Sequence, residues 1–197
     1  MRAEPSHADD PVGPMTFEEF LEFEEKAEFK HEFINGYAFP HGDWATGLAG
    51  AGRRHNRIAA EIQRLLGNLV DVDHPDCFAY GSDMMLYIPN LDKSYYPDVQ
   101  LACDPSDQNE RYLTSPCLIV EVLSGTTSRT DVGEKLLAYQ GIPSLQAYWI
   151  VAQRQAHITR WWRSTDGVWA DEELTSGEVP VPCLSKTLSI DAIYARV

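Results

Sequence analysis

An α/β (α+β) fold, with a central mixed β-sheet flanked by helices, is what the sequence predicts, and three observations predict it. Apolar runs at 117–123 and 146–151 read as central strands covered on both faces. Ile58, Ile62, Leu65, Leu66 and Leu69 recur at helical spacing within 53–69. Asn35-Gly36 is the preferred pair for a tight type I′ turn, so 31–39 reads as a hairpin. Helix, hairpin, helix, strands, helix and strands then follow in an order that fits a mixed sheet with helices against it.

Residues 1–14 lack the apolar stretch of a signal peptide and are expected to form a disordered N-terminal tail, leaving one domain over 15–197. Thr16 and Glu19 make a capping box that opens a helix ending near Phe29, with Phe17, Phe20 and Leu21 on one face. Gly47, Gly50 and Gly52 form a flexible stretch before the second helix. Strands are expected at about 77–80, 84–89, 96–103 and 117–123. Asp131 with Glu134 caps a third helix through Tyr139, which Gly141 and Pro143 stop. Strands return at 146–151, 156–163 and, after Asp166-Gly167, about 168–174; a short strand and helical end close the chain from Leu188.

At 197 residues the chain suits one domain with a substantial core. No apolar run approaches the roughly 20 residues that span a bilayer, and a cytoplasmic location is expected. A net charge of −14 argues against broad non-specific binding to nucleic acid, which needs basic surface. It leaves room for a local groove, and Arg53, Arg54, Arg57 and Arg64 are locally basic. The four cysteines, Cys77, Cys103, Cys117 and Cys183, form no Cys-x-x-Cys, and three lie in apolar strand-like runs. Buried thiols are expected, rather than a disulfide framework or a zinc site. His41, His55 and His74 lack helical i,i+4 partners, which disfavours a histidine-based metal site.

Two acids stand out because each is set in an otherwise apolar strand. Asp98 follows Pro97, and Glu121 lies among Ile119, Val120, Val122 and Leu123. A carboxylate buried without a partner costs several kcal/mol. A lone Pro-Asp reads as a strand start facing water, but Glu121 must be ion-paired, hydrogen-bonded, metal-bound or protonated. Two such acids on neighbouring strands point to a shared positive partner, and a divalent metal is the simplest. Asp131, Lys135 and Tyr139 are four apart and share one helix face. The bland reading of Lys135 is a surface pair with Asp131, yet Tyr139 on that face points toward something partly buried. Glu32, between His31 and Phe33, is the remaining acid in apolar context; alone it reads as an exposed hairpin position. The loop Ser124–Ser128 either lines a polar site or is an ordinary strand-to-helix connection.

Together these residues resemble the PD-(D/E)XK nuclease superfamily, the restriction-endonuclease-like fold. Tyr-Pro-Asp-Val (96–99), Val-Glu-Val-Leu-Ser (120–124), Asp131-x3-Lys135-x3-Tyr139 and Tyr-Trp-Ile-Val (148–151) resemble more closely its Uma-type restriction endonuclease family. Phe-Glu-Glu-Phe-Leu (17–21), Glu-Phe-Ile-Asn-Gly (32–36) and His55 also match, so the resemblance covers about 15–195. One departure is visible: the superfamily's simplest form has lysine two residues after the glutamate, where this chain has Leu123. In the family the lysine is shifted to the following helix, and Lys135 matches that position. Gly125 stands where the family commonly has proline.

The resemblance implies a Mg²⁺-dependent (or Mn²⁺-dependent) endonuclease hydrolysing phosphodiester bonds in DNA. Asp98, Glu121 and the backbone carbonyl of Val122 would be the metal ligands. Lys135 would position or deprotonate water or stabilise the phosphorane-like transition state, and Glu32 would be an outer ligand or hold a metal-bound water. Arg53, Arg54, His55 and Arg57, at the start of the second helix, would contact DNA phosphates; a solvated basic turn is the competing view. A homodimer is expected, since cutting both strands needs two sites, with the aromatic 148–169 strands pairing across a two-fold. The alternative function is a catalytically inactive nuclease-fold binding module, which the charge of −14 favours. A two-carboxylate glycosidase fits less well, because Trp149, Trp161, Trp162 and Trp169 fall on later strands and read as core or interface.

Overall fold

The computed structural model describes residues 11–41, 52–70, 74–123 and 129–197. Residues 1–10 of the tail assigned to 1–14, Gly47 and Gly50, and the loop Ser124–Ser128 lie outside them, as does the side chain of Asp131; within 11–14, Val12 bridges to Ala38. In chain order the elements begin with α1 (Phe17–Glu24), β1 (His31–Ile34), β2 (Tyr37–Pro40), α2 (Arg53–Leu69), β3 (Phe78–Gly81) and β4 (Met85–Ile88). Next come β5 (Lys93–Tyr95), β6 (Val99–Ala102), β7 (Tyr112–Leu113), β8 (Pro116–Val122), α3 (Arg129–Gln140) and β9 (Ala147–Val151). Last are β10 (Ile158–Arg163), β11 (Trp169–Leu174), β12 (Glu178–Val181), β13 (Lys186–Ser189) and α4 (Ile190–Tyr194).

Among the described residues the strands form three sheets rather than one. A six-stranded sheet runs β11-β10-β9-β8-β6-β3, a five-stranded sheet runs β2-β1-β5-β4-β7, and β12 pairs with β13. Within the large sheet only β8 and β9 are parallel, and α3 lies on the connection that such a pair requires. Side chains alternate across a strand. Val120 of β8 and Trp149 of β9 turn toward Ile58, Ile62 and Leu66 of α2 and toward Ile190 and Ile193 of α4. Ile119 and Tyr148 turn the other way, toward Tyr139 of α3 and Ile142 just beyond it, and toward Leu86, Ile88 and Tyr95 of the five-stranded sheet. Both faces are dry, which is why these two strands read as unbroken apolar runs. Each fully buried Ile or Leu contributes about 1.5–3 kcal/mol, so Ile58, Ile62 and Leu66 seat α2 firmly on one face, while Ala138 and Tyr139 seat α3 on the other.

The hairpin forms as its sequence requires: Asn35 and Gly36 have φ of 49° and 88°, and Ile34 pairs with Tyr37. The capping box is present, with Thr16 Oγ1 accepting from the Glu19 N–H and Glu19 from the Thr16 N–H. The first helix stops at Glu24 rather than near Phe29, because its apolar face ends at Leu21. The Glu24 carboxylate there accepts bonds from the His31 N–H and the Tyr96 hydroxyl, tying the chain into β1.

The strand expected at 96–103 begins only at Val99, and an unexpected strand, β5, precedes it in a different sheet. β5 belongs to the five-stranded sheet and β6 to the six-stranded one, with Tyr96-Pro97-Asp98 crossing between them. Pro97 has no N–H for a ladder, so the break falls there. Asp98 therefore sits at the seam of the two sheets. The expected free thiols are also corrected. Cys77 is bonded to Cys103 and Cys117 to Cys183. The β3–β6 register pairs Phe78 with Ala102, so the residues one step outward, Cys77 and Cys103, face each other. That neighbourhood comes from strand pairing, which the cysteine spacing does not encode.

Candidate active site

The β6–β8 ladder sets Val99 opposite Val120, and one further step brings Asp98 level with Glu121. Asp98 Oδ2 accepts the backbone N–H of Val122 at 2.7 Å, and Oδ1 lies 2.7 Å from His55 Nε2 on the first turn of α2. Gln153, just past β9, donates its amide to the Leu123 carbonyl and approaches His55 Nδ1 at 3.5 Å. With Nδ1 facing an amide donor, the proton belongs on Nε2 and the ring donates to Asp98.

On the α3 side, Glu121 Oε1 accepts from the Tyr139 hydroxyl at 2.9 Å and lies 3.5 Å from Lys135 Nζ. Lys135 Nζ also sits 3.1 Å from Glu32 Oε1, and His41 Nδ1 reaches the same oxygen at 3.2 Å. The predicted shared face of α3 is real for Lys135 and Tyr139, since both point at one carboxylate. Glu32 is no exposed hairpin residue; its side chain keeps only 17% exposure, and those of Lys135 and Glu121 keep 16% each. The Tyr95 ring lies 5.5 Å below Lys135 Nζ and adds a cation–π contact.

The carboxyls differ in electrostatics. Burial pushes Glu121 up and the Asp98 charge adds to this, against the opposing pull of Lys135. Burial also disfavours ionised Glu32, but the Lys135 ammonium and His41 outweigh it and hold its carboxyl at about 2. Burial raises the Tyr139 hydroxyl well above its ordinary range, so it stays a donor at neutral pH. The site thus holds one firmly ionised acid, one acid poised for a further cation, and a lysine between them.

Arg53, Arg54 and Arg57 are exposed on the opening turns of α2, beyond His55. Gly52 offers no side-chain cap there, and the first turn carries no acid. Arg64 is turned away into a pair with Glu61. Trp149 is fully buried and Trp162 packs on the α2 side of the sheet. Tyr139, His41 and Gln153 are contributors whose roles no single motif announces; the i,i+4 relation of Tyr139 to Lys135 was the one available signal.

Two acids at the seam of a mixed sheet, one of them paired with a lysine from the crossover helix, define a nuclease-like protein of the restriction-endonuclease-like fold. The chain belongs to the Uma2 family, whose description is "Putative restriction endonuclease" and which matches residues 17–192. It is 31% identical over 186 residues to the uncharacterized protein slr1290 of Synechocystis sp. (strain ATCC 27184 / PCC 6803 / Kazusa), covering 93% of each chain. It is 32% identical over 163 residues to the uncharacterized protein sll1609 of the same strain, covering 81% of this chain and 87% of the other. The fold matches a crystal structure from Anabaena variabilis ATCC 29413, titled a "putative nuclease belonging to DUF820", with a TM-score of 0.70 and 20% identity. That match covers 92% of this chain and 98% of the other.

Proposed function

We propose that this chain is a Mg²⁺-dependent endonuclease hydrolysing phosphodiester bonds in DNA. The observation that carries the reading is the meeting of Asp98, Glu121, Glu32 and Lys135 around one seam. The donor set fits a hard cation: Asp98, Glu121 and the Val122 carbonyl offer only oxygen, which suits Mg²⁺ or Mn²⁺. Glu121, held up by burial and by the Asp98 charge, is stabilised as a carboxylate by such an ion. When bound, the metal supplies charge neutralisation at the phosphate and a more acidic water.

The protein's own groups do the rest. Glu32 and Glu121 aim the Lys135 ammonium, which stabilises charge developing on phosphate oxygens and orients the attacking water. His55 holds Asp98 in its rotamer by bonding one oxygen. Arg53, Arg54 and Arg57, at a helix N-terminus open to anions, bind flanking phosphates. These three arginines make a local basic patch on a chain of net charge −14. The reading takes 15–197 as the nuclease domain and the protein as a cytoplasmic homodimer, since double-strand cutting needs two sites. Among the described residues β11 forms one edge of the large sheet and is open to a second copy.

Purified protein with Mg²⁺ or Mn²⁺ should cleave plasmid or single-stranded DNA, and Glu121→Ala should abolish it. Equal cleavage by wild type and Glu121→Ala would defeat the reading. A catalytically inactive module with this fold is the second reading, favoured by the hydrogen bond that each Asp98 oxygen already accepts within the protein and by the charge of −14. Calorimetry showing no saturable Mn²⁺ binding that Asp98→Ala removes would select it.

A further inference from the structure

Far from the carboxylates, four sulfurs meet at the opposite end of the large sheet. Cys117 is the second residue of β8 and Glu121 its sixth, a separation of about 13 Å along the strand. Cys77 directly precedes β3, Cys103 directly follows β6, and Cys183 lies in the short 3-10 turn Pro182–Leu184. Four separate segments thus deliver one sulfur each to one place. The two bonded pairs touch: Cys103 Sγ and Cys117 Sγ are 3.7 Å apart. The Sγ atoms of Cys103, Cys117 and Cys183 all lie within 4.8 Å of one another.

These spacings have a chemical meaning once the bonds open. A tetrahedral zinc held by thiolates at about 2.3 Å sets its sulfurs about 3.8 Å apart. Cys103 and Cys117 already stand at that separation. Cys77 and Cys117 are buried, whereas Cys103 and Cys183 are only partly so, which gives reductant and metal a way in.

We propose that this cluster is a second metal site, a four-thiolate centre that holds one Zn²⁺ in the reduced protein. A dithiol or phosphine reductant supplies the electrons. Each disulfide takes up two electrons and two protons to give two thiols. Binding of Zn²⁺ then releases four protons and forms four Zn–S bonds, with no further change in oxidation state. Thiolate softness selects zinc here, while the oxygen donors 98 and 121 select a hard ion, so the two sites do not compete for one metal. In either state the centre ties β3, β6 and β8 to the segment that leads into β13.

The test uses the whole chain, reduced under argon with a phosphine that is then removed with trace metal. Titration with Co²⁺ should give the intense visible bands and sulfur-to-metal charge-transfer absorption of a tetrahedral thiolate site, saturating at one ion per chain. Zn²⁺ should bleach them and release about four protons near neutral pH, where unbound thiols are protonated. Cys183→Ser should weaken Zn²⁺ binding at least 100-fold. A reduced wild type without thiolate bands overturns the proposal, as does a Cys183→Ser protein with an unchanged spectrum. The wild-type spectrum decides alone should the variant fail to fold.

Discussion

Lys135 Nζ lies 3.5 Å from Glu121 Oε1, a contact between the crossover helix α3 and the strand β8 that feeds it. The lysine two residues beyond the glutamate in the superfamily's simplest pattern is replaced here by Leu123, which packs on the α3 side of the sheet. A helix supplies the charge that the strand no longer carries. The same ammonium stands 3.1 Å from Glu32, so one lysine serves two acids from two different sheets.

Lys135→Met should lower kcat/KM for DNA cleavage by about 10²–10³-fold, the usual loss on removing one transition-state donor. It should also destabilise chelated protein by on the order of 3 kcal/mol, because Glu32 and Glu121 remain buried without their cation. Pairing it with Glu32→Gln should recover part of that stability, a coupling that urea melts of the two single variants and the double variant would measure. Strict additivity would mean that the lysine and Glu32 do not interact.

Glu32 should shape the acid limb of stability. Its carboxyl falls from an ordinary 4.5 to about 2 in the folded protein. A depressed acid stabilises fully above its unfolded value, and that share is lost as pH falls through the folded one. The share is about 3 kcal/mol, disappearing between pH 4.5 and 2. Glu121 acts with opposite sign: its raised carboxyl binds protons better when folded, so its contribution grows as pH falls. Comparing urea midpoints of wild type and Glu32→Gln at pH 7 and pH 3 in chelator isolates the first effect. The gap between them should shrink at the lower pH, and a constant gap would refute the assignment.

Tyr139→Phe removes the hydroxyl that donates to Glu121 and leaves the ring. The ring stays in the aromatic contacts it makes with Tyr95 and Tyr148. Loss of about 1–3 kcal/mol is expected from the stranded acceptor. The pH at which cleavage rises should move upward, since the hydroxyl favours ionised Glu121. An unchanged pH profile would show that Tyr139 is only packing.

How far the sequence discloses this molecule depends on the range of the interaction concerned. α2 is readable to the residue, Arg53–Leu69, because a 3.6-residue stripe and a glycine at its start are local. The hairpin is readable because Asn35-Gly36 can close one kind of turn. The acids at 98 and 121 are readable because burial makes a carboxylate conspicuous among apolar residues. The separate strand β5 at 93–95 is not, since its pairing in the other sheet has no local signal and only Pro97 marks the crossing to β6. Glu32 looks exposed for the same reason: its partners, Lys135 and His41, come from α3 and from beyond β2. Cysteine pairing depends wholly on strand order and has no local signature.

His55 and Asp98 supply the last prediction. Asp98 Oδ1 is bonded by His55, and the N–H of Val122 fixes Oδ2. Each carboxylate oxygen has a second lone pair, so these bonds orient Asp98 without consuming its capacity for a metal. Partners of this kind are worth about 10–100-fold in metal affinity. His55→Ala should therefore weaken Mn²⁺ binding by about that factor while leaving the stoichiometry at one carboxylate site. His55→Gln, which keeps a donor, should recover part of the loss. Calorimetry on all three proteins decides: equal dissociation constants would mean that the Val122 N–H alone positions Asp98, and His55 would then belong with Arg53, Arg54 and Arg57 in holding phosphate.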